Sequence, residues 1–242
     1  MPFSGARNLS TVSFVGTLIK SPRLAQTTER ALRIIKVATD DGNAYHDIVS
    51  RLKKTNLKFE SVPPDGPLNF ERDLVLTSRK ELGSFGNDTV AIEDLHKDPL
   101  VMEGQLLSRL VEESRRDLLV GIDPGSRIGM AVFYGGRQLG ALTAISVGNL
   151  VDALLLIVRE VPHSTLSVKI GAGEPKSSRL LASLLRDALP QSASVEIVDE
   201  SGTSAPGRGM LGATRDQRAA ARIAHRKGVQ FSPRESSKRT PA

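Results

Sequence analysis

The sequence predicts an α/β fold in which a small amino-terminal α/β domain precedes a carboxy-terminal mixed sheet flanked by helices. Short runs of β-branched and aliphatic residues alternate with longer segments of helical periodicity. A glycine-rich β-meander then opens the second half and precedes further strand–helix units. We therefore expect domains over residues 1–112 and 113–231, followed by a polar, disordered tail over 232–242.

Length and composition exclude several classes of protein. The chain has 242 residues, 39% of them hydrophobic, which is enough to bury a core in each domain. It contains no cysteine and only four histidines, so oxygen is the expected ligand of any bound metal. No apolar run reaches the roughly 18 residues of a membrane span, and the first residues do not resemble a signal peptide. We expect a cytoplasmic protein with no membrane partner.

The charge balance is compatible with a nucleic-acid partner but does not establish one. The formal net charge is +6 and the sequence pI is about 9.8, which also suits an ordinary soluble protein. Aromatic residues make up only 4% of the chain and tryptophan is absent, which argues against a platform for stacking single-stranded bases. Any polynucleotide is therefore expected to be bound through its backbone.

The first domain combines strands with one amphipathic helix. The helix is predicted over 41–56, with Asp41 or Asn43 near its start. The segment VPPDGP is predicted to be a turn that interrupts the β-α-β order. A second helix is predicted over 100–116. The domain boundary is expected within this helix or just after it. Strands are predicted over 11–19, 31–39, 57–62 and 73–79.

The second domain begins with three strands in a meander, and Gly135 and Gly136 form its second turn. A strand–helix unit follows, and its helix is predicted to bury Leu180, Leu181, Leu184, Leu185 and Ala188. The last helix is predicted to begin at a Thr214 cap. Strands are predicted over 118–122, 129–134, 138–145 and 166–170, and in the segment SVEIVDESGTS.

Asp123 lies where the first strand of the meander ends. Pro124 and Gly125 turn the chain beside it and would let a metal or phosphate approach the backbone closely. Asp-Pro-Gly is also a common turn sequence, because the aspartate side chain can cap its own turn. Taken alone, these residues favour a turn over a metal ligand.

Further acidic positions occupy comparable places. Glu174 follows the strand over 166–170, and Asp199 and Glu200 follow the next strand on opposite faces, so we expect one of that pair in a shared site. Asp216 lies in the first turn of the last helix, where the helix dipole alone favours an acid. Ligands gather beyond the carboxyl ends of parallel strands, and converging carboxylates require a cation. Mg²⁺ suits oxygen ligands, and Mn²⁺ can substitute for it.

Three motifs resemble nucleases of one superfamily. The run GIDPGSRIGMAV around Asp123 resembles the opening strand–turn–strand of the RuvC and YqgF nucleases of the ribonuclease H superfamily. The segment VDESGTS is similar to the acidic signature of YqgF proteins, and Asp216, Ala219 and Ala220 resemble their D-x-x-A-A helix. The resemblance covers roughly residues 117–228. It implies a ribonuclease H-like carboxy-terminal domain and metal-dependent cleavage of phosphodiester bonds.

The chain is intermediate between the two families. Ala219 stands where RuvC enzymes carry a second acid, whereas Glu174 is present as in RuvC and unlike YqgF. The implied substrate is structured nucleic acid, either a Holliday junction in DNA repair and recombination or an RNA during processing. Our hypothesis is two-metal hydrolysis in which Asp123, Glu174 and Asp216 hold the ions and Glu200 supplies a ligand or supports one. The cations expected to contact phosphates are Lys176, Arg208, Arg215 and Arg218.

Two other functions remain as alternatives. The chain could be a catalytically inactive nucleic-acid-binding protein that keeps the ribonuclease H-like fold. Actin-like ATP-binding proteins use a similar glycine-rich turn, but they need two such domains, and only 119 residues follow Asp123. The sequence leaves open whether the protein forms a homodimer and what the first domain does.

Overall fold

The structure is a computed structural model that describes residues 33–69, 72–86, 88–199 and 214–232. These residues belong to one compact unit and form a four-stranded and a six-stranded sheet. The α/β class and the mixed second sheet flanked by helices are confirmed. The strand predicted over 11–19, the tail beyond Ser232, and the predicted site residues Glu200 and Arg208 lie outside the described residues.

The first sheet is entirely parallel, with the strand order β2-β1-β3-β4. Asp41 caps the first helix as expected, because its carboxylate accepts hydrogen bonds from two backbone N–H groups of the opening turn. The last strand of this sheet was not predicted. The elements are β1 (Ile34–Val37), α1 (Gly42–Leu52), β2 (Phe59–Ser61), β3 (Asp73–Thr77), β4 (Thr89–Ala91) and α2 (Pro99–Leu110).

The helix predicted over 100–116 is shorter than expected. Helix α2 begins after an Asp98 cap and ends at Leu110, because Val111 has an extended backbone and a 3-10 turn follows over Glu113–Arg115. Its buried residues, Met102 and Leu106 among them, pack into a hydrophobic core that continues through the second sheet. The predicted boundary after residue 112 remains a prediction.

The second sheet has the order β10-β9-β8-β5-β6-β7. Strands β5, β6 and β7 form the predicted antiparallel meander, and Gly135 and Gly136 have φ values of 54° and 78° in its second turn. Strands β8 and β9 run parallel to β5. The elements are β5 (Asp117–Asp123), β6 (Ile128–Tyr134), β7 (Arg137–Ala144), α3 (Val147–Glu160), β8 (Thr165–Gly171), α4 (Pro175–Ala188), β9 (Ser194–Val198), α5 (Arg215–Ala224) and β10 (Val229–Gln230).

The predicted apolar side of α4 was partly wrong. Leu181 is 2% exposed, but Leu180 and Leu184 are 63% and 43% exposed, and Ala188 is exposed as well. The helix buries the neighbouring row at positions i, i+3, i+4 and i+7 instead. The helix carries two apolar rows. The buried row is the one in which the residues besides leucine, Ser178 and Ala182, are small. That buried row consists of Ser178, Leu181, Ala182 and Leu185.

The helices of the described ranges are short. The longest, α3 and α4, each have 14 residues. None of the helices in these ranges combines the length and the apolar character that crossing a bilayer requires.

Candidate functional site

The site is organised around a close contact between β6 and the first turn of α5. Asp123 pairs across the sheet with Gly129, and cross-strand partners project to the same face about 5 Å apart. A Cβ atom built on Gly129 would lie 2.3 Å from the carbonyl oxygen of Asp216 and 3.1 Å from its Cβ atom. The backbone of Asp216 therefore rests on Gly129, beside the side chain of Asp123.

A second glycine fixes the path of α5 along the sheet. A Cβ atom on Gly121 would lie 2.1 Å from the carbonyl oxygen of Ala220 and 2.8 Å from the Cβ atom of Ala224. Only glycine allows the helix backbone this close to the strand. Gly121 and Asp123 are two residues apart and face the same side of β5. Asp123 therefore faces the α5 side of the sheet, at the end of the helix that carries Asp216.

The first turn of α5 is capped without Asp216. Thr214 accepts a hydrogen bond from the Gln217 N–H, and the Gln217 side chain accepts one from the Thr214 N–H, which completes a capping box. Asp216 is half-buried, and its carboxylate makes no hydrogen bond or ion pair with the other residues that the structure describes. An acidic residue is favourable in the first turn of a helix. The Asp216 carboxylate, however, takes no part in capping α5.

Glu174 lies at the same edge of the sheet, just beyond β8. It occupies the N-cap position of α4, yet its exposed side chain makes no capping hydrogen bond. Ser178 is fully buried, and its hydroxyl donates to the carbonyl oxygens of Gly171 at 2.6 Å and Glu174 at 2.9 Å. This buried hydroxyl fixes the start of α4 against the end of β8, which neighbours β5.

The predicted carboxylates do not all gather. Within ranges 33–69, 72–86, 88–199 and 214–232, no three or more histidine, aspartate or glutamate side chains are arranged to hold a metal ion. Asp216 lies against Gly129, the cross-strand partner of Asp123, whereas Glu174 follows β8 at the same edge of the sheet. Asp199 follows β9, and its carbonyl oxygen accepts a hydrogen bond from Arg226 at 3.4 Å.

Exposed arginines continue from the site along α5. Arg215, Arg218 and Arg222 lie at positions i, i+3 and i+7 and therefore share one helix face. None of the three forms an ion pair with another described residue, although Asp216 is adjacent in sequence. Lys176, the other described cation of the predicted site, is exposed in the first turn of α4.

Sequence reasoning missed Lys169 of β8. This lysine pairs with Gly121 across the parallel ladder and therefore faces α5. Its ammonium group donates to the carbonyl oxygen of Arg226 at 2.5 Å and lies 3.8 Å from a carboxylate oxygen of Glu196. Lys169 thus positions the end of α5. A lysine between Val168 and Ile170 in a predicted strand was the available signal.

A second polar cluster, also missed, lies at the carboxyl edge of the first sheet. The Glu81 carboxylate accepts hydrogen bonds from the hydroxyl of Thr39, from the N–H of Asp40 at 2.8 Å, and from two further hydroxyls. Burial alone would raise the pKa of Glu81, but these hydrogen bonds outweigh it and bring the pKa to about 2. The two further donors are Thr77 at 3.1 Å and Ser78 at 2.6 Å.

Comparison with known proteins gives one partial match. A family model described as a response regulator receiver-like domain matches residues 34–103, which is less than a third of the chain. The matched span contains the whole first sheet, and its order β2-β1-β3-β4 agrees with the first strands of the doubly wound order 2-1-3-4-5. No curated protein and no solved structure matches the chain.

Proposed function

We propose that the carboxy-terminal half is a metal-dependent nuclease of ribonuclease H-like fold that hydrolyses phosphodiester bonds in structured nucleic acid. The observation that carries this proposal is the position of Asp216 against Gly129, the cross-strand partner of Asp123 at the end of β5. The mixed sheet, in which a meander precedes two parallel strands, is compatible with the sequence resemblance. The receiver-like span contains none of the residues assigned to this activity.

The carboxylates present suit a hard divalent cation. Mg²⁺ is commonly held by one or two carboxylates together with water and substrate phosphate. The carboxylates of Asp123 and Asp216 would therefore be enough as protein ligands. We assign these two residues as the principal ligands, with Glu174 as a third and Glu200 as a supporting acid. When bound, Mg²⁺ or Mn²⁺ would supply an activated water and stabilise charge on the leaving oxygen.

The protein's own groups would position the substrate and the acids. Gly129 and the Thr214 capping box hold Asp216 in place, and Lys169 fixes the opposite end of the same helix. The exposed arginines of α5 offer planar donors that suit phosphate oxygens. Their row begins beside Asp216, so a backbone bound along it would bring one phosphate to the acid pair. Arg215 and Arg218 are the closest of these arginines in sequence, and Arg208 is proposed to join them.

A second candidate is a nucleic-acid-binding protein that shares this fold but does not cleave. It is favoured by the absence, among the described residues, of any cluster of three acids. The two candidates make the same prediction for binding and opposite predictions for hydrolysis. An actin-like ATP-binding role gains no support from the position of Asp216 against Gly129.

The experiment compares cleavage by the full chain and by three carboxylate variants. The substrates are a four-way junction, duplex DNA and a structured RNA, each with Mg²⁺ or Mn²⁺. We expect Asp123→Asn and Asp216→Asn to reduce cleavage by about 100-fold or more, as for groups that act in the transition state. Asp187→Asn, an exposed acid near the end of α4, is the matched control and should cleave like the parent. Cleavage by Asp123→Asn at the parent rate would exclude the nuclease assignment, and binding without cleavage by the parent would select the second candidate.

A further inference from the structure

A pocket opens between the start of α2, strand β7 and helix α3. Its volume is about 320 Å³. The exposed residues Lys54, Asn56 and Asp98 form its polar rim, and the buried residues Leu139 and Ile157 line its depth. The rim belongs to the receiver-like span and the deep wall belongs to the second sheet and α3. The pocket therefore exists only where these two parts of the chain pack together.

A buried carboxyl group forms part of the pocket wall. Glu103 is 2% exposed, and one of its carboxylate oxygens accepts a hydrogen bond from the Asn56 N–H at 3.0 Å. Burial raises the pKa of Glu103, although the Asn56 hydrogen bonds and the charge of Arg137 act in the opposite direction. Glu103 forms no ion pair within the part of the chain that the structure describes. Carboxyl groups are rarely buried without a counter-charge, because desolvation is costly.

The rest of the lining is apolar and shaped by close packing. Gly140 lies on the β7 side, and a Cβ atom there would lie 3.0 Å from the Cδ1 atom of Leu100. Leu142 and Leu156 extend the apolar surface. A small apolar cavity with a few polar groups is the usual form of a small-molecule site, and this volume lies at the lower end of that range.

We propose that this pocket binds a small amine, with its apolar body against Leu139 and Ile157 and its ammonium group against Glu103. The lining carries two carboxylates, Glu103 and Asp98, but only one cation, Lys54, so a positively charged head is favoured over an anionic one. A charged donor would also give Glu103 the ion pair that it lacks among the described residues. This inference does not depend on the chemistry at Asp123.

Occupation of the pocket would stabilise the packing of the receiver-like span against the second sheet. A ligand that binds only the folded state shifts unfolding to higher temperature as its concentration rises. The pocket wall includes Val101 of α2 and Ala153 of α3, so a bound amine would contact both helices at once. The site therefore offers a way for a small molecule to act on the junction of the two parts.

The test measures binding of benzylamine and benzyl alcohol to the full chain by calorimetry and by thermal unfolding. Benzylamine should bind saturably and raise the unfolding temperature, and benzyl alcohol, which has nearly the same shape, should bind more weakly. Glu103→Gln should weaken the binding of benzylamine by about tenfold, which is the usual contribution of a charge-assisted hydrogen bond. Asp152→Asn, on the exposed side of α3, is the control and should bind like the parent.

A second variant guards against a folding defect in Glu103→Gln. Ala153→Leu adds volume to the pocket wall without altering the carboxyl group, and it should abolish benzylamine binding while leaving a folded protein. Equal binding of benzylamine and benzyl alcohol, unchanged binding by Glu103→Gln, or unchanged binding by Ala153→Leu would each overturn the proposal. So would the absence of saturable benzylamine binding to the parent chain.

Discussion

Gly129 and Asp216 are in backbone contact, and no side chain can be placed between them. A methyl group on Gly129 would lie 2.3 Å from the carbonyl oxygen of Asp216, well inside van der Waals contact. Because Gly129 is also the cross-strand partner of Asp123, this contact sets the separation of the two acids. The candidate site therefore depends on a residue that has no functional group.

Gly129→Ala should displace the start of α5 and impair both folding and the proposed cleavage. Forcing a methyl group into a filled space costs about 1–3 kcal/mol. Chemical denaturation would measure that loss, and the junction and RNA assays would measure activity. Gly148→Ala is the control, because a Cβ atom there meets only the Ser146 hydroxyl at 3.8 Å. A Gly129→Ala variant with parental stability would refute the close packing.

Glu81 should make the stability of the protein depend on pH in the acid range. Its folded pKa of about 2 lies below the ordinary value, so its contribution is fully present above about pH 4.5 and is lost as the pH falls towards 2. Glu81→Gln should therefore lower the free energy of unfolding by about 2 kcal/mol at pH 7 and by much less at pH 3. Urea titrations at both pH values measure this difference.

The control for that experiment is Asp65→Asn, which changes an exposed carboxylate in the loop between β2 and β3. Its effect should be small and independent of pH. Equal destabilisation of Glu81→Gln at pH 7 and pH 3 would contradict this prediction. It would show that the four hydrogen bonds do not stabilise the charged form of the carboxylate.

Two adjacent leucines on α4 should respond very differently to truncation. Leu181→Ala removes a side chain that is 2% exposed, so it should cost about 2–5 kcal/mol of stability. Leu180→Ala removes one that is 63% exposed and should change stability by less than about 0.5 kcal/mol. Thermal and urea unfolding of the pair report directly on which row of α4 faces the core. Similar losses in both variants would contradict the orientation of the helix.

The arginine row of α5 should contribute to the salt dependence of the proposed duplex binding. Each phosphate contact contributes a slope of roughly 0.9 in log K against log salt concentration. In an Asp123→Asn background, which separates binding from cleavage, Arg218→Ala with Arg222→Ala should reduce the slope by up to about 1.8. Fluorescence anisotropy across a salt series measures it. The control is Arg159→Ala, which removes an exposed arginine paired with Glu160 and should leave the slope unchanged. An unchanged slope in the double variant would exclude the arginine row as a binding surface.

Local chemistry accounts for the elements that the sequence predicted well. Asp41 and Thr214 accept backbone hydrogen bonds where caps were expected, and Gly135 and Gly136 adopt the positive φ that their turn demands. These features are determined by a few neighbouring residues. The order of the strands around β5 follows from packing between distant segments, which a single sequence does not specify.

Packing also explains why two elements and the geometry of the site could not be predicted from the sequence. Helix α3 was not predicted, and its apolar run at 153–158 is equally suited to a buried strand. Strand β4 has only three residues, too few for a periodicity. Strand ends predicted the positions of Asp123 and Glu174, but the position of Asp216 relative to Asp123 depends on how α5 crosses the sheet. That crossing is set by Gly121 and Gly129, whose contacts become visible only in three dimensions.

The continuity of α2 has a consequence for how this chain loses its structure. The receiver-like match ends at residue 103, within a helix that continues to Leu110 and contributes Leu106 and Leu107 to a core shared with the second sheet. Breaking that core in one part removes buried contacts from the other. The described residues should therefore melt in a single cooperative transition, and a fragment ending at residue 103 would lack the apolar cover that its own sheet requires.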